Sequence, residues 1–211
     1  MNSSDEVTQG PRRFGVAVLA IAVAVGLLLG YAVGWLVPRF TSPSDTSAEA
    51  GFARDMISHH SQAVEIGLIA FQQGTNGDVR QVGMDIATAQ QGEIGAMQTW
   101  LRLWRLGPTG SQQAMAWMPE GPAALENGLM PGMATATQLN ALRAAKGKDV
   151  DILFCQLMIR HHLGGIHMAD GILTKTDEAE VRQLAGTMKA GQTKELTVLQ
   201  NLLSDLGAKP L

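Results

Sequence analysis

Two histidine pairs, His59-His60 and His161-His162, stand 102 positions apart, and each is preceded three residues earlier by a methionine, Met56 or Met158. Downstream of each pair comes a Gln-x-x-Glu, ending at Glu93 in the first case and Glu195 in the second. Imidazole, thioether and carboxylate are metal-ligand chemistry: imidazole serves both copper oxidation states, and thioether sulfur selects Cu(I). A di-iron centre in a helical bundle would ask for more carboxylates, with Glu on two helices and Glu-x-x-His on the other two. The candidate metal ligands are therefore His59, His60, His161, His162, Met56, Met158, Glu93 and Glu195, with a copper ion as the leading occupant and another transition metal as the alternative.

Such residues act together only if helices aim them at one place. At about 100° per residue, Phe52, Met56, His59, His60 and Ala63 share one helix face, and so do Phe154, Met158, His161, His162 and Gly165. On a second helix Val82, Ile86, Ala89, Gln90, Glu93, Met97 and Trp100 share a face, which puts Glu93 on an apolar stripe. Buried imidazoles and carboxylates are costly unless paired or metal-bound. Two readings account for them: a metal site, or a structural network in which each Glu accepts a hydrogen bond from a His. Each methionine taken singly reads more simply as a core gap-filler, so the metal reading rests on the histidines.

The same offset of 102 also superposes Phe52 on Phe154, Val79-Arg80-Gln81 on Val181-Arg182-Gln183, Gln90 on Gln192 and Leu101 on Leu203, without a gap. This is the mark of an internal duplication. Each copy reads as two helices of roughly 25–30 residues, and two such hairpins make an all-α, up-and-down four-helix bundle with a crossover between the halves. Ser47 and Asp149 are the expected N-caps of the leading helices, Asp78 or Asp177 opens the second helix of its hairpin, and Gly74 ends the first. The expected bounds are repeat one at 48–106, the crossover at 107–148 and repeat two at 149–206. Within the crossover a short helix is expected from Ala136 to Ala145, capped by Thr135 with Gln138 in a capping box. Met115, Met118, Met130 and Met133 also lie in the crossover. They read as an apolar lid anchored by Trp117, with Cu(I) donors as the second reading.

Ahead of the bundle, Phe14 to Val37 carries no charged side chain. At 1.5 Å per residue this run reaches about 36 Å, enough to cross a bilayer core. Its length favours an uncleaved anchor over a signal peptide. Arg12 and Arg13 before the span, against Arg39 after it, place residues 1–13 in the cytoplasm and the remainder outside. The expected arrangement is a single-pass cell-membrane protein with a linker at 38–47 and an extracytoplasmic soluble domain.

Composition narrows the functions further. A net charge of −3 lacks the basic footprint of a nucleic-acid binder. A single cysteine excludes an intramolecular disulfide framework and Cys-rich zinc or iron–sulfur sites. That residue, Cys155, lies at the edge of the histidine face; it reads as a small hydrophobe, with a thiolate ligand as the second reading. His167 falls off the inward stripe and reads as a surface residue. No nucleophile stands at readable spacing from a base, and no phosphate loop is evident.

The doubled Met-Ile-x-His-His, each copy followed by Gln-x-x-Glu, with Met130-Pro-Gly-Met133 before the second copy, resembles the bacterial domain-of-unknown-function 305 family over about Ala48 to Leu206. The resemblance implies a ferritin-like four-helix bundle, secreted or membrane-anchored, with metal handling, copper above all, proposed for some members. By motif position His59, His60, His161 and His162 carry over, with Met56, Met158, Glu93 and Glu195 around them. Where the family often has a further Met after Met133 and a Leu after Phe154, this chain has Ala134 and Cys155.

The function expected from the sequence is a membrane-anchored metal-binding protein that buffers or sequesters copper through inward His and Met, with a homo-oligomer left open. One alternative is a ferritin-like metal-dependent redox enzyme. Another is a metal-free helical interaction module whose His-Glu network only specifies its core.

Overall fold

The computed structural model describes residues 14–211, all-helical apart from turns and loops. The expected cytoplasmic segment 1–13, with Arg12 and Arg13, lies outside the described residues. Helix α1 spans Phe14–Thr41. Within it Gly15–Trp35, 21 residues of mean hydropathy 2.6, is long and apolar enough to cross a membrane. The helix continues beyond the expected end at Val37 and through Pro38, so the irregular linker starts only after Thr41. A proline so near a helix end forfeits one backbone bond and leaves little helix beyond it to disrupt.

The second unit, residues 43–211, contains α2 (Ala48–Gln73), α3 (Gly77–Leu103), α4 (Ala136–Ala144), α5 (Lys148–Leu173) and α6 (Ala179–Asp205). Helices α2 and α3 form one hairpin and α5 and α6 another, giving the four-helix bundle that the hydrophobic periodicity demands. Ser47 caps α2, its Oγ accepting from Ala50 N–H at 3.2 Å, and Gly74 closes the helix by donating to Ala70 O at 2.8 Å. Thr135 and Gln138 form the expected capping box on α4, which ends at Ala144, one residue before the expected end.

Three expected caps are displaced. The cap of α3 is Asn76, not Asp78; its Oδ1 accepts from Asp78 N–H and Val79 N–H at 2.8 and 3.1 Å. Asp78 instead occupies the first turn, where its charge favours the positive end of the helix dipole. Helix α6 is preceded by Glu178, not capped by Asp177, and α5 begins after Gly147 rather than at Asp149. Gly147 has φ +60°, a conformation that costs glycine little, and it turns the chain directly into α5 with Asp149 already inside the first turn.

Helix α5 runs antiparallel to α2. Near its start, buried Asp151 reaches the turn beyond the end of α2 and accepts from Thr75 N–H, Thr75 Oγ–H and Asn76 N–H at 3.0, 2.6 and 3.0 Å. These bonds fix the first hairpin's turn against the second hairpin. Within the first hairpin, α2 and α3 meet at glycines: a Cβ on Gly67 would lie 2.4 Å from Gly83 O.

The interior comprises two hydrophobic clusters. One holds Ala63, Ile66, Phe154, Cys155, Met158 and Leu199. The other holds Phe52, Met56, Met97, Trp100, Met115, Trp117, Met168 and Met188. On α2 the histidine pair falls between Met56 of one cluster and Ala63 of the other, and on α5 between Met158 and Met168. The polar residues thus sit at the seam between two apolar masses.

Candidate metal centre

All four paired histidines are fully buried. His59 and His161 face each other across the α2–α5 contact with ring centroids 3.8 Å apart and planes inclined at 36°. His60 and His162 flank them, at 6.2 Å from His59 and 6.4 Å from His161 respectively. The two pairs therefore make one group of four imidazoles.

Each ring spends its Nε2 on an oxygen. His60 Nε2–H donates to Glu93 Oε2 at 2.8 Å, and His162 Nε2–H donates to Glu195 Oε2 at 2.6 Å. Both carboxylates are partly exposed, with side-chain accessibilities of 18 % and 30 %, so they link buried rings to the bundle surface. His161 Nε2–H donates to the backbone carbonyl of His59 at 2.9 Å, and His59 Nε2–H to the carbonyl of Pro131 at 3.1 Å. Every Nδ1 is buried and has no partner. A neutral ring with its proton on Nε2 carries a lone pair on Nδ1, so four lone pairs are held inside the bundle without a donor.

Burial and the neighbouring imidazole of His60 hold His59 down to about 3, and burial with the other rings lowers His161 well below its usual value. These two rings remain neutral in the native protein where the unfolded chain would protonate them. Above about pH 6.5 both states hold them neutral and the fold keeps its full stability; below that value the unfolded state binds protons that the native state refuses, so stability falls toward acid. We expect the metal-free protein's urea midpoint to decline between pH 6.5 and 4.5, and His59→Leu/His161→Leu to flatten that decline. An equally steep decline in the variant would contradict this assignment.

The crossover closes over this group mainly through its backbone. Gly132, at φ +77°, lies so close to α5 that a Cβ on it would be 2.1 Å from Arg160 O. A Cβ on Gly164 would be 1.8 Å from Pro131 O. Gln62 clamps Ala134, two residues beyond Gly132, by two bonds, Nε2–H to Ala134 O at 3.0 Å and Oε1 from Ala134 N–H at 2.6 Å. Farther along, buried Asp55 accepts from Met115 N–H and Trp117 Nε1–H, both at 2.7 Å. Burial raises the Asp55 carboxyl pKa while these bonds oppose the rise.

Met115, Met118 and Met130 are buried, and Trp117 meets Phe52 edge-on at 5.5 Å. Their sulfurs lie in an apolar mass, as a lid requires. Met56 and Met158 are also fully buried one turn from the histidines, but in different hydrophobic clusters. The described hydrogen bonds and ring contacts join the imidazoles to one another, to the two carboxylates and to two backbone carbonyls. Cys155 is buried, and burial together with the Asp151 charge pushes its thiol up to about 12, which keeps it protonated. His167 is at the surface, with Glu120 at 4.0 Å.

Sequence periodicity missed Pro131, Gln62, Asp55 and Asp151. The only signal for the first was Met-Pro-Gly-Met itself, which drew attention for its sulfurs and acts through a carbonyl and a glycine. For Gln62, the signal was the departure from the repeat at Gly164, its counterpart: on one side of the crossover a clamp is needed, and on the other, space.

The donors suit a soft or intermediate cation, with unpaired imidazole nitrogens inside and carboxylates fixing two rings from outside. Among the described residues no three His, Cys, Asp or Glu groups already converge as a cage.

The family model described as domain of unknown function (DUF305) matches residues 49–203. A DUF305 protein of Streptomyces coelicolor, assigned as secreted, is 38 % identical with a TM-score of 0.73, covering 80 % of this chain and 99 % of its own. A DUF305 fragment from Deinococcus radiodurans is 26 % identical with a TM-score of 0.64, covering 77 % and 99 %. CopM in its Cu(I)-bound form shares the fold at 23 % identity and a TM-score of 0.57, covering 75 % and 96 %; other CopM structures hold Cu(II) or Ag. Comparison with curated proteins gives no match.

Proposed function

The chain belongs to the DUF305 family, and from that premise and the histidine geometry we propose that it is a membrane-anchored, extracytoplasmic protein that sequesters copper ions in the interior of its helical bundle. The observation that carries this reading is the set of four buried Nδ1 atoms without partners, beside four Nε2 atoms that all have one. A purely structural network accounts for the second set and leaves the first unexplained. Each unpaired buried polar atom costs about 1–3 kcal/mol, so a fold that keeps four together is suited to a ligand that uses them.

In this reading the ion is cargo. His59, His60, His161 and His162 bind it through Nδ1, and Met56 and Met158 supply thioether near the ends of the group. Glu93 and Glu195 do not ligate; they hold His60 and His162 in the tautomer with Nδ1 free and offset positive charge brought into the core. Uptake asks the rings to draw together around a common centre, with the Met130–Met133 segment limiting access to His59. CopM's bound copper and silver support the choice of metal, and the apolar Gly15–Trp35 span supports the anchor.

The test is a competition titration of Cu(I), Cu(II), Ag(I) and Zn(II) into the full-length chain in detergent. Saturable binding of Cu(I) and Ag(I), tighter than Zn(II), is expected. Failure of copper and silver to compete with a weak chelator would overturn the proposal.

A further inference from the structure

One turn from each His-Glu pair lies a glutamine that the histidine network does not use. Gln90 on α3 and Gln192 on α6 are 3 % and 4 % exposed. Gln90 leaves both its amide atoms without a partner, and Gln192 leaves its Oε1 so. Each is three residues before the glutamate that binds a histidine. Because the helices of a hairpin are antiparallel, each amide lies about one turn beyond its histidine pair along the facing helix. For Gln192 this is visible directly: a Cβ on Gly165, three residues after His162, would meet Gln192 Oε1 at 2.4 Å.

An unpaired buried amide is costly, and leucine would occupy the same volume at either place without that cost. Yet both hairpins put glutamine there, about one turn from the imidazoles whose Nδ1 atoms are also unpaired. Thioether sulfur favours a soft, monovalent ion and imidazole serves both copper oxidation states, whereas a tetragonal Cu(II) site takes oxygen ligands beside its nitrogens. Among the described residues, the buried side-chain oxygens left without a hydrogen-bond partner are Gln90 Oε1 and Gln192 Oε1.

We propose that Gln90 and Gln192 belong to the histidine site as its oxygen donors, and that they set its specificity by allowing it to hold a divalent ion as well as a monovalent one. This rests on the metal-binding reading above. The amides contribute little to Ag(I), which the nitrogens and sulfurs satisfy, and much to Cu(II).

The experiment compares Ag(I) and Cu(II) affinities of the full-length chain in detergent with those of Gln90→Leu/Gln192→Leu and Gln90→Glu/Gln192→Glu, alongside the thermal midpoint of each metal-free protein. The leucine variant is expected to lose at least about tenfold in Cu(II) affinity, to keep Ag(I) affinity within about twofold and to melt no lower than wild type, by the ligand preferences of amide oxygen and imidazole. The glutamate variant, which retains an oxygen at each place, should recover Cu(II). Unchanged Cu(II) binding in the leucine variant, equal weakening of both ions, or a lower melting point without metal would overturn the assignment. If wild type binds neither ion, the sequestration reading fails as well; if wild type binds both and the leucine variant matches it, only the role of the amides fails.

Discussion

Replacing His59, His60, His161 and His162 together by leucine is expected to reduce Cu(I) and Ag(I) affinity by a thousandfold or more, about 4 kcal/mol. Leucine is the informative substitution because it fills most of the space and carries no polar atom. Removing all four rings also removes four unpaired nitrogens from the core, a change that favours the fold. The groups left behind can be solvated in part, since Glu93 and Glu195 already reach the surface. The variant is therefore expected to stay folded, and helical content with a cooperative melt checks this on the same sample. Single replacements will be less decisive: removing one ring leaves three, and the remaining rings can share an ion at reduced affinity. A folded four-leucine variant that binds as tightly as wild type would place the metal elsewhere, with the buried crossover methionines next in line.

The second large effect concerns the crossover. Gly164→Ala is expected to destabilise the metal-free protein by about 3 kcal/mol, the upper range for overpacking. Its Cβ would lie 1.8 Å from Pro131 O and 2.5 Å from Pro131 C, both backbone atoms that no side-chain rotation can move aside. Relief requires lifting the Met130–Met133 segment, which lengthens the His59–Pro131 hydrogen bond and strains the Gln62 clamp on Ala134. Gly92→Ala is the matched control: Gly92 is exposed within α3, a Cβ there meets nothing within 4 Å, and alanine should stabilise by up to about 1 kcal/mol through helix propensity. Urea unfolding of both variants measures the contrast. Equal midpoints for Gly164→Ala and wild type would mean that the crossover is not seated on α5 as described.

These two experiments probe parts of the protein that the sequence disclosed unequally. The bundle helices, the Ser47 cap and the Thr135–Gln138 capping box were legible because each is written within a few neighbouring residues. The inward direction of the histidines followed from the same short-range periodicity. Asp149 and Asp78 misled because an Asp near a helix start serves either as a cap or as a first-turn charge, and Asp177 because α6 starts one residue later than a cap there would need, with Glu178 at the flanking position. Pro131 was hidden for another reason: its contribution is a carbonyl oxygen, which every residue has, placed by a crossover segment that lies outside the 102-residue sequence match. Asp151 reads as an ordinary first-turn acid, and only the antiparallel approach of α5 to α2 reveals the turn that it holds. The methionines show the converse limit. Met56 and Met158 keep perfect register with the histidines, but register does not determine which atoms a flexible side chain will touch.

The central claim is that the ion is taken by Nδ1 while Nε2 keeps its hydrogen-bond partners. Titrating Ag(I) into the full-length chain with 15N-labelled histidine, and following the imidazole nitrogens by NMR, tests it most directly. The account predicts large shifts at the Nδ1 atoms of His59, His60, His161 and His162, with the Nε2 resonances retaining their attached protons through saturation. Shifts confined to His167, or loss of the Nε2 protons with Nδ1 unchanged, would contradict it.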